Sequence, residues 1–341
     1  MTSSRQHTKW GFTVLFGVLG SLIVGLFLLA FLWPVATAAP NGLKVAISGP
    51  AQTVSTLKGA IAKQTGGALS FTEVSGRSAA VSSIRNRDVY GAIVLAPQPE
   101  VLTASAANSS VAQLLDTAAG QLQNALQAQA PGVTVKTTDV VPLSSDDASG
   151  AGITAMSIPL VLGGMIGGVL ISLLVVGAVR RVVALLVYGA AAGLLTVLIG
   201  QTRFGFLQGG FFADWAVLSL AMLATAAAIV GLNALLGRGG IALGAVLTIW
   251  FALPVSGSTV PTPFLPSPWG SIGQLFVPGA GSTLVRTLSY FPDASGAQQW
   301  VVLGAWAVGG LLLTFLGHFR NAAPVSVPEA ELEPAAEAVP V

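Results

Sequence analysis

Few side chains in this sequence have the types and spacing that chemistry needs. The grouped carboxylates are Glu73, Asp88, Asp116 and the adjacent pair Asp146–Asp147; paired acids can divide general acid and base work or hold a hard cation. No histidine lies near them, because His7 and His318 stand at opposite ends of the chain, and there is no cysteine. Disulfides, thiolate metal sites and a thiol nucleophile are therefore excluded. No GxxxxGK[ST] run occurs, so the chain carries no P-loop of its own. The carboxylates read as solvated surface groups and Asp146–Asp147 as the marker of a membrane boundary. No catalytic, cofactor-binding or metal-ligating residue is expected, and no enzymatic activity.

Spacing offers helix contact instead. In GGMIGG, Gly163 and Gly167 stand four apart, as do Gly164 and Gly168. Small residues at that interval let two helix backbones approach in lipid, where dispersion and weak hydrogen bonds replace the hydrophobic effect. The stripe fits either the face of a homodimer or a contact inside one bundle.

The elements that must carry these residues follow from composition. Of 341 residues 53% are apolar and 8% charged, with a mean hydropathy of +0.78, against roughly 25% charged in an ordinary soluble domain. The chain is expected to be an α-helical polytopic membrane protein whose solvent is lipid. A formal charge of +2 without a basic tract provides no nucleic-acid surface. Charge-free runs of spanning length predict about six spans: Gly11–Trp33, Ile153–Ala178, Val182–Gly200, Trp215–Leu236, Gly240–Leu253 and Trp300–Leu316. The fifth is short and closed by Pro254. No predicted span contains Asp, Glu, Lys, Arg or His, which argues against a proton relay or an ion-coupled carrier. Arg5, Lys9, Arg180, Arg181, Arg238 and Arg320 fall on one side, and only Arg203 and Arg286 in short loops on the other. By the positive-inside rule both termini are cytoplasmic, as expected of a multi-pass protein of a bacterial plasma membrane.

This assigns residues 1–10 to a cytoplasmic N-terminus, 11–33 to an anchor, 41–147 to an extracytoplasmic domain and 153–319 to a five-span membrane domain. ATA followed by Ala39 also resembles a signal-peptidase site after Ala38, although the apolar run is longer than a usual signal core. In the outer domain LKVAIS (Leu43–Ser48), ALSFTEV (Ala68–Val74), YGAIVLAP (Tyr90–Pro97) and Thr134–Val141 read as strands. Between them Ala51–Gln64, Arg77–Asn86 and a long segment from a Ser110 cap to Gln129 read as helices. Alternating strands and helices predict a small mixed sheet with right-handed crossovers. Residues 41–147 balance seven bases against seven acids, so no strong preference for an anionic partner is expected.

The outer loop 254–298 is apolar but broken by Pro261, Pro263, Pro266, Pro268 and Pro278, so it is no straight span. Short helices at the outer leaflet are expected, with Trp269, Phe276, Tyr290 and Phe291 at headgroup depth, forming a gate or a packing plug. The tail 321–341 mixes Glu329, Glu331, Glu333 and Glu337 with four prolines, the composition of a disordered acidic segment.

This order of parts, with VYGAIVLAP (Val89–Pro97), the Pro-Leu-Val-Leu-Gly-Gly opening of the second span (Pro159–Gly164) and FVPGAGSTLVRTLSYF (Phe276–Phe291), resembles the YhgE/Pip-like branch of type-2 ABC exporter permeases. The likeness covers most of residues 10–320. It implies a homodimer driven by a separate ATPase subunit gripping cytoplasmic helices; the span order, the uncharged bundle and the proline-broken outer loop make an amphipathic or lipid-like substrate the expected cargo, with membrane lipid as surroundings. Arg180–Arg181, however, leaves hardly any loop for a coupling helix. Relatives in this branch are linked to phage entry and to accessory roles in secretion, so the alternative expectation is a non-transporting envelope protein whose outer domain binds a protein or cell-wall partner.

Overall fold

The computed structural model describes residues 9–65, 67–129, 132–258 and 260–319; His7, Arg5, Arg320 and the acidic tail lie outside the described residues. Five helices are long and apolar enough to cross a membrane. The first, α1 (Trp10–Ala36), has 27 residues and buries only Pro34, as befits a helix apolar on every side with no stripe to turn inward. It touches the rest through Phe27 on Trp250 and Trp33 on Trp269, with ring centroids 5.9 and 5.8 Å apart.

Next comes an α/β domain with strands β1 (Leu43–Ser48), β2 (Leu69–Glu73), β3 (Ala92–Val94), β4 (Glu100–Thr103) and β5 (Lys136–Asp139), in the order β2-β1-β3-β4-β5. All pairs are parallel except the β3–β4 hairpin. Helix α2 (Ala51–Thr65) leads from β1 to β2 on one side, and α3 (Arg77–Arg85) leads back across to β3 on the other. Crossovers of one hand in opposite directions must put their helices on opposite faces, and they do. Val45, Ile47, Ile93 and Val101 pack with Val54 of α2 and with Val111 and Leu115 of α4 (Ser109–Gln129); Ala46, Ala92 and Leu102 pack with Ala80 and Ile84 of α3. The cap of α4 is Asn108, not Ser110: its Oδ1 accepts from the Val111 N–H at 3.1 Å. Strand β4 is the element that sequence reading missed.

The helix bundle is formed by α5 (Ala151–Ala155), α6 (Ser157–Leu174), α7 (Ala178–Val197), α8 (Phe211–Leu236), α9 (Arg238–Val246), α10 (Trp269–Gly273), α11 (Val277–Tyr290) and α12 (Ala297–Phe319). Helices α5 and α6 run as one span, Ala151–Leu174, and α7 continues through π turns at Leu198–Arg203. The fifth expected span differs: α9 gives way to π turns over Leu247–Ala252, and the stretch falls short of the about 20 residues that cross a bilayer. Two other expectations need correction. The helices run beyond the predicted limits, so α8 takes Asp214 into its first turn and α7 takes in Arg180 and Arg181.

Helix α8 is the axis of this bundle, and glycines mark its crossings. A Cβ on Gly164 or Gly168 would stand 2.6 Å from Thr225 or 3.0 Å from Ala226; one on Gly193 would meet Ser219, and one on Gly310 would stand 2.4 Å from the Ala227 backbone. Gly167 makes room for the Tyr188 ring, whose hydroxyl donates to the Gly163 carbonyl. The space over all four glycines of GGMIGG is thus filled from within the chain. Arg181 folds back to donate to the carbonyls of Val175 (2.8 Å) and Ser172 (3.0 Å), capping the C-terminus of α6 with a cation.

These contacts rank the glycines. Gly167→Leu must displace the Tyr188 ring, whose Cε1 lies 2.2 Å from the built Cβ, whereas Gly163→Ala meets only the mobile end of Met222 at 3.3 Å. Overpacking of the first kind costs about 1–3 kcal/mol. Thermal unfolding in detergent should show a lower melting temperature for Gly167→Leu and little change for Gly163→Ala; equal melting of both would contradict this packing.

Candidate functional site

The site is built where the two halves meet, and α11 builds it. Val277, Ala280, Leu284 and Val285 of this helix lie in the bundle core beside Leu160, Leu218 and Leu303. Immediately after its end Phe291 lies in the core of the α/β domain, 1% exposed, against the α3 side of the sheet. Phe291 is therefore a core side chain of that domain and not an exposed anchor. Tyr290 packs with both cores, and its hydroxyl accepts from the Ser144 N–H at 3.4 Å. Trp269 and Phe276 meet Phe251 edge to face, with centroids 6.0 and 5.3 Å away.

Two arginines enter this junction from opposite sides. Arg286, on α11, donates from Nη1 to the Ala106 carbonyl at 2.9 Å and from Nη2 to Thr154 Oγ1 at 3.3 Å. Arg87 comes from the α/β domain: its Nη1 donates to the Thr283 carbonyl at 3.1 Å and to Thr287 Oγ1, and its guanidinium lies 5.1 Å from the centre of the Phe291 ring. Just past the end of α3, Arg87 has φ +63°, the only positive φ among the described non-glycine residues. Helices commonly end on such a left-handed residue, but it is usually glycine or asparagine; a non-glycine residue held there stores about 1–3 kcal/mol of strain.

Between the arginines is a cleft of about 70 Å³, lined with polar groups of both halves, among them Tyr90, Asn108, Ser157, Ser258, Thr262 and Ser282. Neither arginine forms an ion pair among the described residues, where the pairs are Lys58–Glu73 (2.8 Å) and Arg77–Glu100 (2.6 Å). The acid that acts on Arg286, Asp147, is already committed: its two oxygens accept from the N–H groups of Gly152 and Ile153 at 2.9 and 2.8 Å, capping α5. Burial pushes the Arg87 guanidinium down to about 10, with Tyr90 opposing the fall and the like charge of Arg286 adding to it. Burial likewise lowers Arg286, opposed by Tyr290, Asp147 and Tyr90. Both remain cations at neutral pH. The contrast is Glu100, another buried charge: Arg77 and Thr138 (2.7 Å) satisfy it, and the Arg77 hydrogen bond holds it below the usual carboxylate range despite burial.

The carboxylates singled out from sequence do not come together. Glu73 pairs with Lys58, Asp88 and Asp116 are exposed, and Asp146 and Asp147 turn apart, one to solvent and one into its cap. Among the described residues no three His, Asp or Glu side chains cluster as metal ligands. The arrangement can hold an anion but offers no base positioned for catalysis. Sequence reasoning treated Arg286 as one more outer-loop base and Arg87 as a helix end. Two signals were present: an arginine where a helix terminator calls for glycine, and a lone base closing the uncharged interval 239–285. Compared with known protein families, curated proteins and solved structures, the chain matches none.

If α11 couples the halves through Phe291, Phe291→Ala should cost about 3–5 kcal/mol and free the α/β domain from the bundle. Limited proteolysis should then cut faster near residues 143–150, and the two halves should unfold in separate steps. A single transition at the original temperature would contradict the coupling.

Proposed function

We propose that this chain is a multi-pass plasma-membrane protein, with both termini cytoplasmic and the α/β domain outside, that handles an amphipathic or lipid-like molecule at the seam between that domain and the bundle. The observation carrying this reading is the cleft between Arg87 and Arg286, where a polar, cationic chamber sits at the boundary of a hydrophilic domain and helices whose outward side chains are apolar. An amphipathic molecule presents that same division of headgroup and tail. The count of arginines on either side of the spans supports the orientation. The six-span count requires the short stretch Arg238–Ala252 to cross by tilting or with local thinning of the bilayer.

Within this reading the chain acts as a permease-like subunit of a type-2 ABC exporter, working as a dimer with a separate ATPase. One observation favours the other reading, a non-transporting envelope protein whose outer domain binds a protein or cell-wall partner. Only Val175–Gly177 connects α6 to α7, and only Gly237 connects α8 to α9. Arg181 also fastens the first of these links, so neither offers a coupling helix to an ATPase.

Two measurements separate the readings. Reporter fusions after Asp147 should be active only outside the cytoplasm, and a cytoplasmic signal would overturn the orientation. Affinity purification of the full chain from its native membrane should retain a nucleotide-binding subunit if it is a permease, with efflux of an amphipathic dye lost on deleting that subunit. An intact complex without any ATPase would favour the envelope reading.

A further inference from the structure

We propose that Arg87 and Arg286 form a clamp for a phosphomonoester group, carried as the headgroup of an amphipathic molecule. The inference rests on the reading of the seam as the place where such a molecule is handled.

Charge comes first. Two arginines line one small chamber without a carboxylate partner among the described residues, and Asp147, the acid that acts on Arg286, is occupied by two backbone N–H groups. Both side chains are half-buried, and a cation partly withdrawn from water favours a partner of opposite charge. A single carboxylate or a phosphodiester would offset one of the two charges. A phosphomonoester, at about −1.5 to −2 near pH 7, offsets both.

Geometry points the same way. Each guanidinium has five N–H donors in a planar fork suited to phosphate oxygens. Arg87 engages the protein through Nη1, and Arg286 through Nη1 and Nη2; Nε of both and Nη2 of Arg87 have no protein acceptor among the described residues. Hydroxyls of Ser157 and Thr262 also line the chamber and can donate to further oxygens, whereas Ser282 already donates to the Gly279 carbonyl at 3.2 Å and Ser258 to Ser256 Oγ at 2.8 Å. A volume of about 70 Å³ is enough for a small tetrahedral group. Arg87 also holds a left-handed backbone that glycine would adopt without strain, so local folding alone gives no reason for an arginine here.

The test uses the full-length protein in nanodiscs of phosphatidylcholine, either alone or doped with phosphatidic acid or with phosphatidylglycerol, and inorganic phosphate added separately to undoped discs. Thermal unfolding and binding are read for the parent, Arg87→Gly and Arg286→Gln. Arg87→Gly should still fold, because glycine relieves the strained φ of +63° and so offsets part of the contacts to Thr283, Thr287 and Phe291 that it loses. Phosphatidic acid should raise the melting temperature and phosphatidylglycerol should not, with affinity falling about tenfold or more in either variant. Binding of phosphatidic acid should tighten as pH rises through about 6, where the second phosphate proton leaves, because both guanidiniums stay charged there. Equal responses to the two lipids, or unchanged affinity in a folded Arg87→Gly, would overturn the clamp. Inorganic phosphate binding that Arg87→Gly abolishes, with no response to phosphatidic acid, would keep the phosphate site and overturn the amphipathic reading of the seam.

Discussion

The structure depends on one continuous piece of backbone having a side chain in each of two cores. Leu284 is buried in the helix bundle and Phe291 in the α/β domain, and seven residues separate them, about 10 Å along a helix. Over so short a distance the connection cannot act as a flexible tether. The α3 face of the sheet is covered partly by α3 and partly by Phe291, so part of the outer domain's core is supplied by the membrane half. The cleft exists because both surfaces are held at this spacing.

Placing two cations in that junction is costly, and the costs are visible separately. Both guanidiniums lose water, they repel each other, and Arg87 keeps a backbone conformation that resists side chains. Hydrogen bonds to the Thr283 and Ala106 carbonyls and the face of Phe291 offset part of this, but none supplies a negative charge. Apolar residues of similar size at buried ionic positions are often as stable or more so. Glu100 is paired with Arg77, and Asp147 on α5 and Arg181 on α6 serve as caps. Arg87 and Arg286 share with Asp214, which is fully buried, the lack of a charged partner among the described residues.

Sequence patterns showed much of this architecture because they report local constraints. LKVAIS needs burial on both faces, and Leu43–Ser48 is an interior strand between β2 and β3. The GGMIGG stripe announced close approach, but the identity of the neighbours, Tyr188, Thr225 and Ala226, is tertiary information. Strand β4 escaped notice because Glu100 makes EVLT look too short and too polar; the charge is tolerated only because Arg77, 23 residues earlier in the chain, reaches it. The two arginines of the cleft are 199 positions apart, and a balance of seven bases against seven acids in the outer segment cannot show which charges lack a partner. Net charge describes the far field of a domain, whereas a binding site is a local imbalance.

The same imbalance ties ligand to shape. A pair of like charges at an interface opposes its closure, and a group that neutralises both removes that opposition. Whatever binds the docked arrangement more tightly than the separated one stabilises docking by the same free energy. The bundle offers little room for compensating movement, since α6 and α7 are pinned through Arg181 and the crossings of α8 with α6, α7 and α12 are packed to backbone contact at glycine. The π turns at Leu198–Arg203 and Leu247–Ala252 are the irregular stretches of its long helices, and such turns are places where a helix can change register. Neutralisation of Arg87 and Arg286 by the proposed clamp would therefore act first on α11 and on the docking of the α/β domain.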